Sequence, residues 1–398
     1  MPLRAVARLK AGARTLAPNA VLLTLSIVML AALWLTSTVS VAPNRIVPGS
    51  AFGVVDAFGV VGALLISLLL LALAALSLKA EPVNYQAMLL LVVLILLLMP
   101  FGLMVAGHLL IDPALAQARL GIGAGYWTLL FVLLLCLIEL RLRLGLKRLA
   151  TAALLVGVTL IWWLCARLWL DELALVQEFH SRQSAFYAAL SQHLVLVASA
   201  VGVSLVLGMT IALLMRRFTR VEKVGFALLN FFQTIPSLAL FGLLLAPLAW
   251  LGANVTFLRD LGVSGIGNTP ALVALIAYSL LPIARNTYIA LGEVRPDTLE
   301  AATAMGMRPA QRFWQVRFPL ALPVLLEGVR ITTVQAVGLT AVAALIGAGG
   351  LGTFIFQGLG QAAMDMVLLG ALPIVVMALI VDAGLGALAE LTRHGGQA

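Results

Sequence analysis

The chain has 398 residues, of which 63% are hydrophobic and only 10% are charged, and its formal net charge is +9. Few soluble domains have this composition, and the polar segments between the apolar runs are short, which excludes a sizeable soluble catalytic domain. Uninterrupted apolar runs of about 20 residues are long enough to cross a bilayer as helices. We therefore predict an all-α polytopic membrane protein with about ten spans.

The predicted spans follow one another along the whole chain. They cover residues 20–42, 58–78, 87–107, 122–140, 149–170, 194–214, 224–251, 270–292, 324–347 and 366–390. The first run is longer than the roughly 7–15 apolar residues of a signal-peptide core, which favours a retained helix over a cleaved one. The segment 171–193 fits either an amphipathic helix on the membrane surface or a solvated connector. We divide the chain there, into residues 1–185 with five spans and residues 186–398 with the other five.

The basic residues are distributed unevenly between the two sides of these spans. If the N-terminus is cytoplasmic, 18 of the 25 lysines and arginines fall on that side. They are Arg4, Arg8, Lys10, Arg14, Lys79, Arg141, Arg143, Lys147, Arg148, Arg216, Arg217, Arg220, Lys223, Arg295, Arg308, Arg312, Arg317 and Arg393. Inner loops of membrane proteins carry such an excess. The sequence therefore predicts cytoplasmic N- and C-termini, and the positive charge indicates orientation rather than nucleic-acid binding.

The segment 293–320, between the eighth and ninth spans, is polar and contains several helix boundary signals. Gly306 suits the end of a first helix, because a helix stop needs a positive φ that glycine adopts without penalty. Pro309 suits the start of a second short helix, and Pro319 suits its end at the membrane. We predict a helix–turn–helix whose small residues, including Ala302, lie on one face and allow a close approach to a partner protein.

The residue spacing in this segment resembles the EAA loop through which ABC importer permeases dock on their ATPase subunits. The matching residues are Glu300, Ala301, Ala302, Gly306, Val316 and Pro319. Val316 takes the place of the family's isoleucine and Phe318 that of its leucine, and both replacements are apolar. The order and spacing of the other residues are those of the family.

Three further stretches resemble the permeases of osmoprotectant importers, which take up glycine betaine, choline and related quaternary amines. They are TIPSLALFGLL at 234–244, PALVALIAYSLLPIARNTYIAL at 270–291 and ALIGAGGLG at 344–352. The resemblance covers about residues 190–385. The resemblance assigns no role to the additional N-terminal helices. Their presence indicates the longer, Yeh-type branch of the osmoprotectant permeases.

This resemblance implies the transmembrane subunit of an ATP-driven importer, with the type I permease fold in residues 186–398. It implies the bacterial inner membrane as location. The implied partners are ATPase subunits, a second permease copy or a sister permease, and an outer substrate-binding protein. ATP is then used by a partner, so this chain is not an enzyme and binds no cofactor. An amino-acid or methionine-type ABC permease is the main alternative. An ion-coupled transporter is less favoured, because membrane carboxylates are few and inverted repeats are not evident.

Thr234, Pro236 and Ser237 interrupt a predicted span near its middle, since proline removes a helical hydrogen bond. Transport paths often run along broken helices. We therefore take these residues as candidates for the substrate path, together with Tyr278 and Asn286 on the next span. A kink that only packs inside the protein fits the sequence equally well, and Asn286 is also placed to brace the polar segment that follows.

Four glycines, Gly347, Gly349, Gly350 and Gly352, lie at the predicted outer end of the ninth span. Three of them spell GxGxxG, but a dinucleotide site requires this motif between a strand and a helix of a βαβ unit. The glycines instead predict either the hinge of an outer gate or a tight turn into the outer loop.

Glu327, Arg330 and Asp382 are ionisable residues inside the last two predicted spans, where an unpaired charge is costly. Glu327 and Arg330 are spaced to pair on one helix face, whereas the sequence identifies no partner for Asp382. The two cysteines and four histidines lack metal-ligand spacing, so we predict no metal site.

Overall fold

The computed structural model of the chain describes residues 18–45, 47–115, 117–146 and 148–394. The chain divides into two compact units, Met1–Ser181 and Arg182–Ala398. Some of the basic residues that predict the orientation lie outside the described residues, namely Arg4, Arg8, Lys10, Arg14 and Lys147.

The first unit consists of apolar helices and a small sheet. Its described elements are α1 (Ala20–Leu35), β1 (Val39–Ala42), β2 (Ser50–Phe52), α2 (Val54–Ser77), α3 (Pro82–Leu110), β3 (Arg119–Ile122), α4 (Ala124–Leu144), α5 (Arg148–Leu168) and α6 (Ala174–Ser181). Helix α1 packs against α2 and α4, and α2 packs against α3. Buried aliphatic side chains from these four helices, among them Met29, Leu70, Leu96 and Leu133, form the core.

The first predicted span, 20–42, is wrong in its second part. Helix α1 ends at Leu35, and Thr36 is already extended. The β-branched residues that follow favour a strand, and they form β1, which pairs antiparallel with both β2 and β3. The all-α class is confirmed for the described residues apart from this three-stranded sheet.

The second unit contains helices joined by turns, and no strand occurs among its described residues. Its elements are α7 (Gln183–Arg217), α8 (Thr219–Thr234), α9 (Ser237–Asn254), α10 (Thr256–Asp260), α11 (Asn268–Glu293), α12 (Pro296–Ala304), α13 (Pro309–Gln311), a π-helical segment (Arg312–Arg317), α14 (Phe318–Val342), a 3₁₀ turn (Ala343–Ile346), α15 (Gly352–Gly360) and α16 (Met364–His394). Helix α11 is central, since it packs against α7, α8, α9 and α14.

Two predicted segments have different boundaries in the structure. The span 224–251 is two helices, because Ile235 is extended and Pro236 precedes the start of α9. The segment 171–193 is not one surface helix: it contains α6, and α7 already begins at Gln183.

Eight of the described helices are long and apolar enough to cross a membrane. Helix α1 is also apolar but has only 16 residues. The chain is therefore a multi-pass membrane protein, and the predicted count of ten spans is not confirmed.

Candidate functional site

The coupling segment, residues 293–320, begins with helix α12. Pro296 occupies its first turn, where its missing N–H would have no helical partner. The carboxylate of Asp297 accepts a hydrogen bond from the backbone N–H of Thr298 at 2.8 Å and pairs with Arg295. The hydrogen bond from the Arg295 guanidinium lowers the pKa of the Asp297 carboxyl. A negative charge is thereby held at the N-terminus of α12, where the helix dipole favours it.

Gly306 ends α12 with a Schellman motif. Its φ is +78°, its N–H donates to the carbonyl of Thr303 at 3.0 Å, and the N–H of Met307 donates to the carbonyl of Ala302 at 3.1 Å. These are the two bonds by which a left-handed residue closes a helix end. The predicted helix stop at Gly306 is confirmed, and its role in docking stays a prediction.

The small-residue face of α12, which we predicted to be available to a partner protein, is not the exposed face of the helix. Ala302 is only 1% exposed, and Leu299 packs on a cluster that includes Leu291 and Phe313. The helix therefore rests on its own unit through the small-residue face that we expected a partner to contact. The exposed residues of α12 and its end are Pro296, Asp297, Glu300, Ala301, Thr303, Ala304, Met305 and Gly306.

Met305 is the site residue that sequence reasoning missed. It is 75% exposed although it is large and apolar. Its signal in the sequence was its position directly before the glycine stop, at the end of the helix. Glu300 and Met305 are both exposed, so the segment offers a partner protein one charged and one apolar side chain.

The second half of the coupling segment runs directly into the following membrane helix. Pro309 opens α13, and the side-chain oxygen of Gln311 accepts a hydrogen bond from the backbone N–H of Arg308 at 2.9 Å. Val316 lies half-buried in the π-helical segment. We predicted that Pro319 ends this helix, which is wrong: Pro319 lies in the first turn of α14, which continues directly from the π-helical segment.

A cleft of about 410 Å³ lies between the two halves of the coupling segment. Glu300 and Arg317 both line it. The guanidinium of Arg312 donates to the Thr303 hydroxyl at 2.6 Å, and Arg317 donates to the carbonyl of Leu291 at 2.9 Å. The two arginines thus fix the halves to each other and to α11.

The break between α8 and α9 is stabilised from α11. The Tyr278 hydroxyl donates to the carbonyl of Ile235, and the Gln233 amide donates to the carbonyl of Tyr278 at 2.8 Å. Thr234 and Pro236 are exposed, whereas Tyr278 is only 7% exposed. Tyr278 therefore stabilises the break by a hydrogen bond from the buried side.

The structure brings three of the path candidates to this break, Thr234, Pro236 and Ser237, with Tyr278 behind them. Asn286 lies two turns further along α11. Its side chain donates to the carbonyl of Pro282 at 2.8 Å and packs where a Cβ on Gly328 would come within 2.6 Å of it. Asn286 thus contacts α14, and whether any of these residues lines the path stays a prediction.

The glycine turn, residues 347–352, joins α14 to α15 and adopts positive φ at Gly347, Gly349 and Gly350. A Cβ on Gly352 would lie 1.9 Å from the carbonyl oxygen of Ala341, so only glycine allows this approach. The amide of Gln192 on α7 donates to the carbonyl of Ala348 at 2.7 Å. The turn follows a helix and precedes a helix, so its GxGxxG pattern is not a dinucleotide fingerprint.

Arg330 connects α14 to α16. Its guanidinium contacts both carboxylate oxygens of Asp382, at 2.7 and 2.8 Å, and one oxygen of Glu327 at 3.1 Å. The predicted pair of Glu327 with Arg330 is confirmed, and Asp382 is the additional partner that the sequence did not identify. The three charges sum to −1 inside predicted spans. Pairing reduces the free energy that each charge costs within a membrane.

Comparisons with known proteins assign both parts of the chain. The family described as "Binding-protein-dependent transport system inner membrane component" matches residues 204–394. The family described as "ABC transporter permease YehY, N-terminal domain" matches residues 17–176.

Individual relatives match the second part of the chain. The osmoprotectant import permease protein OsmW of Salmonella typhimurium is 39% identical over 191 residues, which cover 48% of this chain and 84% of OsmW. The carnitine transport permease protein OpuCB of Listeria monocytogenes is 35% identical over 197 residues, which cover 50% of this chain and 83% of OpuCB. A solved structure of the MetNI methionine ABC transporter in an inward-facing conformation is 24% identical, covers 53% of this chain and 98% of the matched chain, and has a TM-score of 0.44. The chain therefore belongs to the family of binding-protein-dependent transport permeases, the membrane subunits of ABC importers.

Proposed function

We propose that this permease imports osmoprotectants of the quaternary-amine class, such as glycine betaine, choline and carnitine. The support for the substrate class is that OsmW is an osmoprotectant permease and OpuCB a carnitine permease. One observation in this chain carries the coupling function. The coupling segment consists of two short helical halves joined at Gly306, in which Glu300 and Met305 are exposed.

As an ABC importer permease, the chain works with an ATPase and a substrate-binding protein. We propose two ATPase subunits, a second permease copy or a sister permease, and a binding protein on the outer side. Four arginines of the coupling segment, Arg295, Arg308, Arg312 and Arg317, support a cytoplasmic position for it. In this orientation both chain termini are cytoplasmic.

We further propose that the chain itself is not catalytic and binds no cofactor, since ATP hydrolysis belongs to the separate subunits. No cluster of potential metal ligands occurs among residues 18–45, 47–115, 117–146 and 148–394. We assign the coupling and transport functions to residues 186–398, and leave the first 185 residues without a role in ATP coupling.

The test is reconstitution of the permease in proteoliposomes with its cognate ATPase and binding protein. ATP hydrolysis and uptake of labelled glycine betaine, choline, carnitine and methionine are measured side by side. We expect the loaded binding protein to stimulate both activities with the quaternary amines and not with methionine. Stimulation by methionine alone would assign the protein to the amino-acid type, and uptake without ATP would remove it from ATP-driven transport.

A further inference from the structure

The end of α11 that leads into the coupling segment is held by two arginines from other parts of the second unit. The last carbonyl groups of a helix have no N–H partner within that helix. Arg317, at the end of the coupling segment, donates to the carbonyl of Leu291 at 2.9 Å. Arg216, near the end of α7, donates to the carbonyl of Tyr288 at 2.9 Å. Both guanidinium groups therefore bind the backbone of α11 within two turns of its end.

The two arginines carry their positive charge where the dipole of α11 favours it. A Cβ on Gly292 would lie 2.6 Å from a guanidinium nitrogen of Arg216, so this guanidinium lies directly against the last turn of α11. In the part of the chain that the structure describes, neither Arg216 nor Arg317 forms an ion pair with a carboxylate. Their hydrogen bonds are made to α11 itself, so they fix the position of its end.

Tyr288 extends this contact to α8. The guanidinium carbon of Arg216 lies 5.2 Å from the centre of the Tyr288 ring, within the range of a cation–π contact. The Tyr288 hydroxyl donates to a carboxylate oxygen of Glu222, in the first turn of α8, at 2.9 Å. The Tyr288 ring also meets that of Phe226 edge to face, with 5.3 Å between the ring centres. One tyrosine on α11 thus contacts α7 through Arg216 and α8 through Glu222.

Helices α7 and α8 lead from this contact to the two irregular segments described above. Along α8, Glu222 is twelve residues from Thr234 at the break, a helical rise of about 18 Å. Along α7, Arg216 is 24 residues from Gln192, a rise of about 36 Å, and Gln192 donates to the carbonyl of Ala348 in the glycine turn. The polar contacts at the end of α11 therefore join the coupling segment to the helices that reach the break and the glycine turn.

We infer that Arg216 and Tyr288 are positioning residues for coupling, which make α7 and α8 follow a displacement of the coupling segment. The inference rests on the proposed function, since it requires an ATPase that acts on this segment. Only two residues separate α11 from α12, so a displacement of α12 moves the end of α11 directly. Apolar contacts are non-directional, whereas hydrogen bonds weaken steeply when their geometry changes. The hydrogen bonds of Arg216 and Tyr288 therefore transmit the displacement to the two neighbouring helices.

The first test measures labelled glycine betaine taken up per ATP hydrolysed, in proteoliposomes that hold the permease, its cognate ATPase and binding protein. Arg216→Met removes the hydrogen bond and the charge, whereas Arg216→Lys keeps a charged donor. Arg217→Met is the matched control, because Arg217 is the next residue, is exposed and has no hydrogen bond or ion pair among the described residues. We expect uptake per ATP to fall several-fold in Arg216→Met, to recover largely in Arg216→Lys and to keep its wild-type value in Arg217→Met.

A residue that only stabilises the fold would lower uptake and hydrolysis in proportion. A wild-type ratio of uptake to hydrolysis in Arg216→Met therefore overturns the inference, whatever the two rates are. If the wild-type permease itself shows no uptake linked to ATP hydrolysis, the proposed function fails first, so the two failures are distinguishable.

The second test is a double-mutant cycle on the hydrogen bond between Tyr288 and Glu222. Tyr288→Phe removes one hydroxyl and keeps the ring, so it also tests the inference if Arg216→Met does not insert in the membrane. Glu222→Leu removes the acceptor of the same bond, and changes that break one shared contact are not additive. We expect each single variant to lower uptake per ATP and the double variant to be no worse than either. Wild-type ratios in both single variants, or losses that add in the double variant, overturn the inference.

Discussion

Position 306 requires glycine because of its backbone φ angle and not because neighbouring atoms leave no room for a side chain. Its φ is +78°, yet an added Cβ would meet nothing within 4 Å. A side chain in the left-handed region costs roughly 1–2 kcal/mol, and more for a β-branched residue. We expect Gly306→Val to retain membrane insertion while uptake and binding-protein-stimulated ATP hydrolysis both fall about tenfold.

The matched variant is Gly306→Asn, since asparagine tolerates the left-handed region better than valine. It should keep most of the uptake and ATPase activity in the same proteoliposomes. If valine and asparagine behave alike at equal membrane levels, the helix stop has no part in coupling.

Glu300 is an exposed carboxylate on α12 and lines the cleft between the two halves of the coupling segment. Glu300→Lys reverses that charge and should abolish attraction to a basic partner surface. We expect co-purification of the ATPase subunit to be lost at moderate salt, whereas Glu300→Gln weakens it only in part. Unchanged recovery of the ATPase with the lysine variant would show that this residue is not at the contact.

At the scale of elements, Arg330 is the charged link between α14 and α16. Arg330→Met leaves Glu327 and Asp382 unpaired inside predicted spans, where each charge costs about 2.5–3.5 kcal/mol. We expect a lower Tm and reduced membrane levels for this variant. Replacement of all three residues by apolar ones should restore much of the Tm, and a triple variant as unstable as Arg330→Met would contradict the pairing argument.

The sequence predicts features that depend on local signals. Gly306 is an example, because a helix stop needs only one residue with a suitable φ. Features that depend on distant contacts were missed: Asp382 meets Arg330 only through the packing of two helices, and one of the two partners of β1 is β3, far along the chain. Pro319 was misplaced because proline suits the end of one helix and the start of the next equally well.

At the scale of the whole molecule, the coupling segment and the helices that hold it lie within the second unit, Arg182–Ala398. We expect a truncated chain that starts at Arg182 to insert in the membrane and to bind the ATPase subunit, with lower thermal stability. Pull-down of the ATPase from detergent extracts measures this. If a well-inserted truncated chain fails to bind, the first unit takes part in coupling.

The full permease should bind its substrate only weakly. A quaternary ammonium is held best by a cage of aromatic faces, and the aromatic residues near the break do not form one. Tyr278 is buried, and Phe231 and Phe232 contact each other edge to face. We expect titration calorimetry of glycine betaine into the purified permease to show no binding tighter than millimolar, while the binding protein saturates. Micromolar binding to the permease alone would overturn this.

Helix α14 leads from the coupling segment at Phe318 to the glycine turn beyond Val342, and Arg330 is as many residues from one end as from the other. Its tie to Asp382 therefore acts at the midpoint, about 18 Å from each end. A rigid-body tilt about this point would leave the ion pair unstretched and would move the two ends of α14 in opposite directions. A tilt of about 10° would displace each end by about 3 Å. The midpoint position of Arg330 therefore makes equal and opposite displacement of the two ends compatible with an intact ion pair.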